Sequence, residues 1–215
     1  MLVIALDTST PAVTAGLVVA DGGQPHVLAE RVTINPRAHG ELLMPQLLDV
    51  LAEAGRTFAD VDAIVAGIGP GPFTGLRVGL ATASALGQAR DIPVHPVTSV
   101  DAIAAAAASD GPLLVATDAR RKETFWAAYD GSTRVGGPHV AKPAEVPTEG
   151  YEVAAGELAE SLGLRVIEPR YPTAVGLVAV ADLAADPAPL VPLYLRRPDA
   201  AEPGKRKSVL IGGQQ

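Results

Sequence analysis

The sequence contains no cysteine, and this absence removes several classes of chemistry. Disulfide bonds, thiolate metal sites and cysteine nucleophiles are excluded. The four histidines, His26, His39, His95 and His139, include no pair at the four-residue spacing of a helical metal motif. We therefore expect no dedicated transition-metal site.

Aromatic residues are scarce, at 4% of 215 residues, so the core must be filled mainly by Ala, Val and Leu. Basic residues are also in the minority, and the formal net charge is −7. Because gripping a nucleic-acid backbone needs a cationic surface, this chain alone is not expected to do so. Membership of an RNA-processing complex whose basic groove lies elsewhere stays compatible with this charge.

Long apolar runs are missing as well. The longest Ala-rich stretch, residues 100–111, is too short and too weakly apolar to span a bilayer. Met1 leads directly into an apolar strand pattern, with neither a basic segment nor a small-residue cleavage site, so no signal peptide is predicted. We expect a cytoplasmic protein with no membrane contact.

Hydrophobic periodicity predicts alternating strands and helices over the first half. "LVIALD" at residues 2–7 is typical of a buried central strand, and two further strands complete a three-stranded meander. A first helix is predicted from His39 onward, and its apolar arc over 42–54 is roughly 160° wide, more than one contact face needs. A second helix, 76–89, is almost uncharged and is expected to be buried on several sides. A third helix is predicted over 99–108, with Ser99 as its N-cap.

The opening pattern then repeats. "LVIALDTSTPAVTAGLVVADG" at 2–22 and "LLVATDARRKETFWAAYDG" at 113–131 share an apolar strand ending in Asp, a polar turn, a second strand and an Asp-Gly turn. This self-similarity indicates a duplicated lobe. Weaker helical patterns follow at 155–164 and 172–186. We predict an N-terminal lobe over 1–110, a reduced C-terminal lobe over 111–197 and a tail over 198–215.

"GIGPGPFTGLRVG" at 67–79 is a glycine-rich loop after a predicted strand. A P-loop would need Gly-Lys-Ser/Thr where this chain has Phe73-Thr74-Gly75, and the glycine spacing is wrong for a dinucleotide-binding fingerprint. Two interpretations remain. The loop is either a tight turn that packs closely or a turn that also touches a ligand or a partner through the free N-terminus of the helix that follows.

Asp7 and the hydroxyls of residues 8–10 follow the first strand. A carboxylate beside hydroxyls such as Thr8 is suited to a hydrated Mg²⁺ and phosphate oxygens, yet the same residues are ordinary turn chemistry. In the second copy Arg120, Arg121 and Lys122 replace the small residues, so a two-sided phosphate clamp would have only one normal side. We expect no cofactor, no metal and no catalytic residue, with Asp7, Thr8, Gly71 and Thr74 as the ligand-binding candidates.

Several segments carry a family likeness. "IALDTST", "RAHGELLMPQLLDVL", "GIGPGPFTGLRVGLATASALG", "VTSVDAIA", "ATDARRKETFWAAY" and "VPLYLR" resemble, in order and spacing, the bacterial TsaB proteins over most of residues 1–197. The resemblance implies an α/β protein with the actin-like ATPase (ASKHA, ribonuclease H-like) fold, in two related lobes of which the second is reduced.

In function, the resemblance implies a non-catalytic scaffold subunit that binds and activates TsaD. TsaD transfers threonylcarbamoyl to N6 of adenosine 37 in tRNAs that read ANN codons, so tRNA is an indirect partner, and the ATPase TsaE joins the assembly. TsaD binds metal through a His-x-x-x-His pair on its first helix. In this sequence His39 is followed four residues later by Leu43, so that pair is absent.

The resemblance also implies that pairing with TsaD runs through the first two helices, and that the same surface forms a homodimer when the chain is alone. The partner-binding residues implied in this way are Leu43, Met44, Leu47, Leu48, Leu51, Arg77, Leu80, Ala83 and Ser84. A small actin-fold ATPase or kinase that uses Asp7 and the Thr8–Thr10 turn is the alternative. A peptidase ranks last, because no peptidase residues can be named.

Overall fold

The structure, a computed structural model, describes residues 1–196. The predicted tail over 198–215 lies outside the described residues. Two five-stranded sheets organise the chain, and the prediction of an α/β protein is confirmed. Within residues 1–196, no helix combines the length and the apolar character that crossing a bilayer requires.

The first sheet has the strand order β3-β2-β1-β4-β5. β1, β2 and β3 form the predicted antiparallel meander, whereas β4 and β5 run parallel to β1. Side chains alternate along a strand, so β1 sends Ile4 and Leu6 into one apolar cluster and Val3 and Ala5 into another. The strands are β1 Leu2–Asp7, β2 Ala12–Val19, β3 His26–Ile34, β4 Ala63–Gly67 and β5 Val94–Val97.

Two long helices, α1 and α2, cover one face of this sheet. α1 spans His39–Glu53 and α2 spans Phe73–Arg90. Both predicted helices are confirmed, and α1 begins at His39 as predicted.

The second sheet repeats the topology of the first, in the order β8-β7-β6-β9-β10. Here β6, β7 and β8 are the antiparallel meander, and β9 and β10 run parallel to β6. The predicted duplication is thereby confirmed. The strands are β6 Pro112–Asp118, β7 Thr124–Asp130, β8 Thr133–Ala141, β9 Val153–Ala155 and β10 Arg165–Val166.

The second lobe is reduced because short turns replace its helices. The helix predicted over 155–164 is wrong: β9 ends at Ala155, Gly156 has φ +98°, and only a 3₁₀ turn, Ala159–Leu162, follows. The pattern over 172–186 contains one short helix, α4, Ala174–Ala179. The Asp182 carboxylate accepts hydrogen bonds from the next-but-one and third backbone N–H groups, which favours a turn over more helix.

α3 (Ser99–Ala106) and α4 lie between the two sheets. Ala102 of α3 packs with α4 against the first sheet, whereas Val100 and Ile103 pack against the second. The prediction that Ser99 caps α3 is wrong, because Thr98 occupies the N-cap position. The Ser99 hydroxyl bonds instead to Asp7, which places α3 beside the turn after β1.

Candidate functional site

The turn after β1 holds Asp7 with both carboxylate oxygens engaged by the chain itself. Oδ1 accepts hydrogen bonds from the Ser9 N–H and the Ser9 hydroxyl, each at 2.7 Å, and Oδ2 accepts one from the Ser99 hydroxyl at 2.5 Å. Asp7 is only 1% exposed. Burial raises the pKa of the Asp7 carboxyl, and the hydrogen bonds from Ser99 and Ser9 partly offset that rise. The arrangement favours packing over presentation of a free carboxylate to a ligand.

Thr8 joins this turn to α2. Its hydroxyl donates to the Gly75 carbonyl at 2.7 Å and accepts from the Gly79 N–H at 3.0 Å. A residue with these two bonds acts as a clamp between the end of β1 and the first turns of α2. Thr8 is therefore engaged within the chain, like Asp7.

The glycine-rich loop passes so close to the Asp7 turn that side chains are excluded. A Cβ at Gly67 would lie 1.7 Å from Asp7 Oδ2, and one at Gly71 would lie 2.1 Å from the Ser9 carbonyl oxygen. Contacts of that length do not occur between non-bonded atoms, so only glycine fits. At Gly71 these contacts support the interpretation of the loop as a closely packed turn. Thr74 is exposed and lines a cavity, so ligand contact stays possible only there among the two loop candidates.

The equivalent turn of the second lobe is open. The Asp118 side chain is 23% exposed, accepts a hydrogen bond from the Arg120 N–H at 2.7 Å and pairs with the Arg120 guanidinium at 3.1 Å. Arg120, Arg121 and Lys122 all have positive φ, at 62°, 53° and 62°. Non-glycine residues rarely adopt this region, and three in succession mark a strained turn that its surroundings must hold.

Arg196, the last described residue, holds that turn from outside. Its guanidinium donates to the Ala119 carbonyl at 2.6 Å and pairs with Glu123 at 3.0 Å. Two residues earlier, the Tyr194 ring stacks on Phe73 at 5.2 Å between ring centroids, and Arg77 lies 3.7 Å above the Phe73 ring. The segment before Arg196 therefore links the start of α2 to the second lobe. Sequence reasoning missed this contact because Arg77 and Tyr194 are 117 positions apart.

The residues implied in partner binding divide into two groups. Leu48 is 54% exposed, Arg77 is exposed, and Met44 and Ser84 are half-buried. The others are buried in the chain's own core: Leu43, Leu47, Leu51, Leu80 and Ala83. A side chain that is buried in its own core has no surface left for a partner. The outward face of the two helices is therefore narrower than the apolar arc predicted.

Residues 1–196 contain no group of three or more His, Asp or Glu side chains placed to hold a metal ion. His39, at the start of α1, donates from Nε2 to the Thr10 carbonyl at 2.8 Å, since a carbonyl can only accept. The residue one helical turn later is Leu43, which is buried.

The duplicated sheet order, with Asp7 and Asp118 at equivalent strand ends, defines the class: this is a protein of the actin-like ATPase (ASKHA) fold. YeaZ from Pseudomonas aeruginosa has a similar solved structure, with a TM-score of 0.73 and 28% identity, over 90% of this chain and 99% of that chain. A family model described as TsaD, tRNA N6-adenosine threonylcarbamoyltransferase, matches residues 26–184. The chain belongs to the TsaB/YeaZ family.

Among relatives, an uncharacterised Mycobacterium tuberculosis (H37Rv) protein is 52% identical over 203 residues, which is 92% of this chain and 93% of that protein. The tRNA threonylcarbamoyladenosine biosynthesis protein TsaB of Escherichia coli is 33% identical over 132 residues, or 60% of this chain and 55% of that protein. The chain also spans only 56% of an uncharacterised Mycobacterium leprae relative that is 52% identical.

Proposed function

We propose that this chain is a non-catalytic subunit of the machinery that makes threonylcarbamoyladenosine in tRNA. Relatives from Escherichia coli, Haemophilus influenzae and Bacillus subtilis carry that pathway in their names. In this proposal the chain binds and activates TsaD, which performs the transfer to N6 of adenosine 37 in ANN-decoding tRNAs. TsaE joins the complex, tRNA is contacted through TsaD, and the assembly works in the cytoplasm.

The main support for a non-catalytic role is that the Asp7 carboxylate is buried and fully hydrogen-bonded within the chain. An ATPase of this fold class would have to present a carboxylate and hydroxyls to Mg²⁺ and phosphate. Both oxygens of Asp7 instead accept hydrogen bonds from Ser9 and Ser99, and the Thr8 hydroxyl is held by α2. The alternative is a small ATPase or kinase that uses Asp7 and the Thr8–Thr10 turn. This alternative is disfavoured because the Asp7 carboxylate is already engaged within the chain.

The outward side of α1 and α2 is the docking surface in this proposal. α1 exposes Pro45, Leu48 and Ala52 at helical spacing. α2 exposes Ala81 and Ala85, whose small side chains permit close approach of another helix. We name these residues, together with Arg77, the helical face. TsaD pairs with this face through its own first two helices, and a second copy of the chain occupies the face when TsaD is absent.

Reconstitution tests the proposal. Purified TsaD, TsaE, threonylcarbamoyl adenylate and tRNA are incubated with and without this chain, and the modified nucleoside is measured. Modification is expected only when the chain is present. ATP hydrolysis is measured in parallel on the chain alone, as wild type and as folded Asp7→Asn. Hydrolysis that the wild type shows and Asp7→Asn loses would establish the ATPase alternative instead.

A further inference from the structure

Residues 190–196 cross from the first lobe to the second, and we name this segment the strap. At its start, the Leu190 side chain packs against the core cluster beneath α1 and α2. The Leu193 N–H then donates to the Ile68 carbonyl at 2.8 Å, still within the first lobe. At its end, the Arg196 guanidinium donates to the Ala119 carbonyl at 2.6 Å in the second lobe. The strap therefore holds both lobes within a few residues.

The strap is stiff for a segment without regular secondary structure. Pro189, just before it, and Pro192, within it, restrict the backbone because the proline ring fixes φ. Each of these proline carbonyls also accepts a hydrogen bond from a nearby N–H group, that of Val191 at 2.9 Å and that of Tyr194 at 3.1 Å. A stiff segment passes a displacement of one end on to the other end.

An aromatic contact fastens the strap to the start of α2. The Tyr194 ring stacks on Phe73, and the Tyr194 hydroxyl accepts a hydrogen bond from Arg77 Nε at 3.3 Å. Tyr194 and Phe73 stay 40% and 44% exposed, so this contact lies at the surface, where another molecule can reach it. Because Arg77 is also a member of the helical face, the strap is joined directly to that face.

The other end of the strap holds a backbone that is unfavourable by itself. Residues 120–122 have successive left-handed φ angles, which non-glycine residues rarely adopt. The turn closes on itself with two hydrogen bonds at 3.0 Å, from the Glu123 N–H to the Arg120 carbonyl and from the Ala119 N–H to the Glu123 carbonyl. Arg196 adds its bond to the Ala119 carbonyl and an ion pair with Glu123 at 3.0 Å. Loss of the Arg196 contacts should therefore open the turn.

We propose that the strap couples the start of α2 to the turn after β6. In this proposal the Tyr194 contact on α2 holds Arg196 in place, and Arg196 keeps the turn closed. Release of Tyr194 from α2 then opens a turn that belongs to the other lobe. The coupling goes beyond the proposed function, because it is a property of this chain alone and does not require TsaD.

Trypsin tests the coupling, because residues 120–122 are three consecutive trypsin sites inside the turn. At low protease, cleavage there follows the population of the open turn, and mass spectrometry identifies the cleaved bond. We expect Arg196→Gln to raise the cleavage rate about tenfold and Tyr194→Ala to raise it about threefold. Val191→Ala is the matched control within the strap, since the Val191 side chain is 61% exposed, and its rate should equal that of wild type.

Hydrogen exchange separates a loosened turn from a general loss of stability. The Ala119, Arg120 and Glu123 amides are hydrogen-bonded in the closed turn. In Tyr194→Ala these amides should exchange faster than in wild type, whereas the amides of β1 and β2 should exchange at the wild-type rate. Faster exchange throughout the chain would mean that the substitution destabilises the whole fold, and would count against the coupling.

A second variant keeps the test sharp if Tyr194→Ala folds poorly. Phe73→Ala removes the same stacking contact from the α2 side and leaves the strap sequence intact. It should also raise cleavage of the turn about threefold. The coupling is overturned if Phe73→Ala and Tyr194→Ala are both cleaved at the wild-type rate, because the turn is then held locally whatever Arg196→Gln does.

Discussion

The turns after β1 and β6 occupy equivalent places in two lobes of one topology, yet their carboxylates have different surroundings. Asp7 is buried and accepts three hydrogen bonds from Ser9 and Ser99. Asp118 is partly exposed and is bound by its own turn through Arg120. The sheet therefore fixes where each carboxylate lies, whereas the elements packed on the sheet decide what contacts it makes.

Those elements differ because the second lobe has lost its helices. In the first lobe α2 packs against the turn after β1, and Gly75 and Gly79 are the helix glycines that let it approach, since a Cβ at either would lie 2.4 Å from Thr8. In the second lobe the connection after β9 is a 3₁₀ turn, so no long helix of residues 1–196 packs on the Asp118 turn, and Arg196 binds its backbone instead. The turn after β1 thus anchors α2 to the sheet, whereas the turn after β6 places the cationic Arg120 between the lobes.

The largest expected effect comes from filling the contact between Gly67 and Asp7. Gly67→Ala places a methyl group 1.7 Å from the Asp7 carboxylate, so the first lobe must shift. We expect a loss of about 3 kcal/mol in the free energy of unfolding, measured by urea denaturation. Gly40→Ala is the control, since nothing lies within 4 Å of its Cβ, and it should cost less than about 0.5 kcal/mol. Equal losses in the two variants would contradict this account of the loop.

The next largest change in the free energy of unfolding is expected when Asp7, rather than Asp118, is replaced by Asn. Asp7→Asn replaces one carboxylate oxygen by an amide nitrogen that cannot accept the hydrogen bond that Ser9 or Ser99 donates there, and should cost about 2 kcal/mol. Asp118→Asn keeps a side chain suited to turns and should cost less than about 0.5 kcal/mol. Urea unfolding of both variants measures the difference. A cost at Asp118 equal to that at Asp7 would remove the distinction between the turns.

The pH dependence of Asp7→Asn has a defined sign. Folding raises the pKa of the Asp7 carboxyl, chiefly through burial. Its contribution is therefore complete below the unfolded-state pKa and is lost as the pH rises through the folded-state pKa. The stability advantage of wild type over Asp7→Asn should shrink as the pH rises from about 4 to about 8. An advantage that grows with pH would show that the hydrogen bonds outweigh burial.

The smallest effect concerns Glu157, which follows β9. Its Oε2 is buried and has no hydrogen-bond partner among residues 1–196, and burial, together with the nearby Asp118 charge, raises the pKa of Glu157. By the same linkage, wild type loses the Glu157 contribution as the pH rises. Glu157→Gln should therefore gain on wild type with increasing pH, by about 0.5 kcal/mol, because the site is partly exposed. Unfolding curves of the two proteins that run parallel across this pH range would contradict the expectation.

Much of the first lobe could be predicted because its patterns are long and regular. The continuous apolar run of β1 and the apolar stripes of α1 and α2 each extend over a whole element, and the internal repeat predicted the second sheet. The predicted limits of the lobes at 1–110 and 111–197 stay a prediction.

What failed depended on neighbours that a pattern does not contain. The stripe at 155–164 could not show that Gly156 must adopt a positive φ against the Ala116 carbonyl. Ser99 looked like a helix cap because its role as a donor to Asp7 depends on a residue 92 positions away. The apolar arc of α1 gave its width but not its orientation, so Leu43 and Leu48 looked alike although only Leu48 is outward.

Binding to the cognate TsaD, measured by size-exclusion chromatography with light scattering and by titration, tests whether the helical face is the docking surface. Leu48→Glu puts a carboxylate on the helical face, and Val135→Glu puts one on β8 of the second lobe; the two side chains are 54% and 61% exposed in wild type. We predict a 1:1 complex for wild type and Val135→Glu, and a Kd raised at least about thirtyfold for Leu48→Glu. If Leu48→Glu binds TsaD as wild type does, or if Val135→Glu is the variant that loses binding, the helical face is not the docking surface.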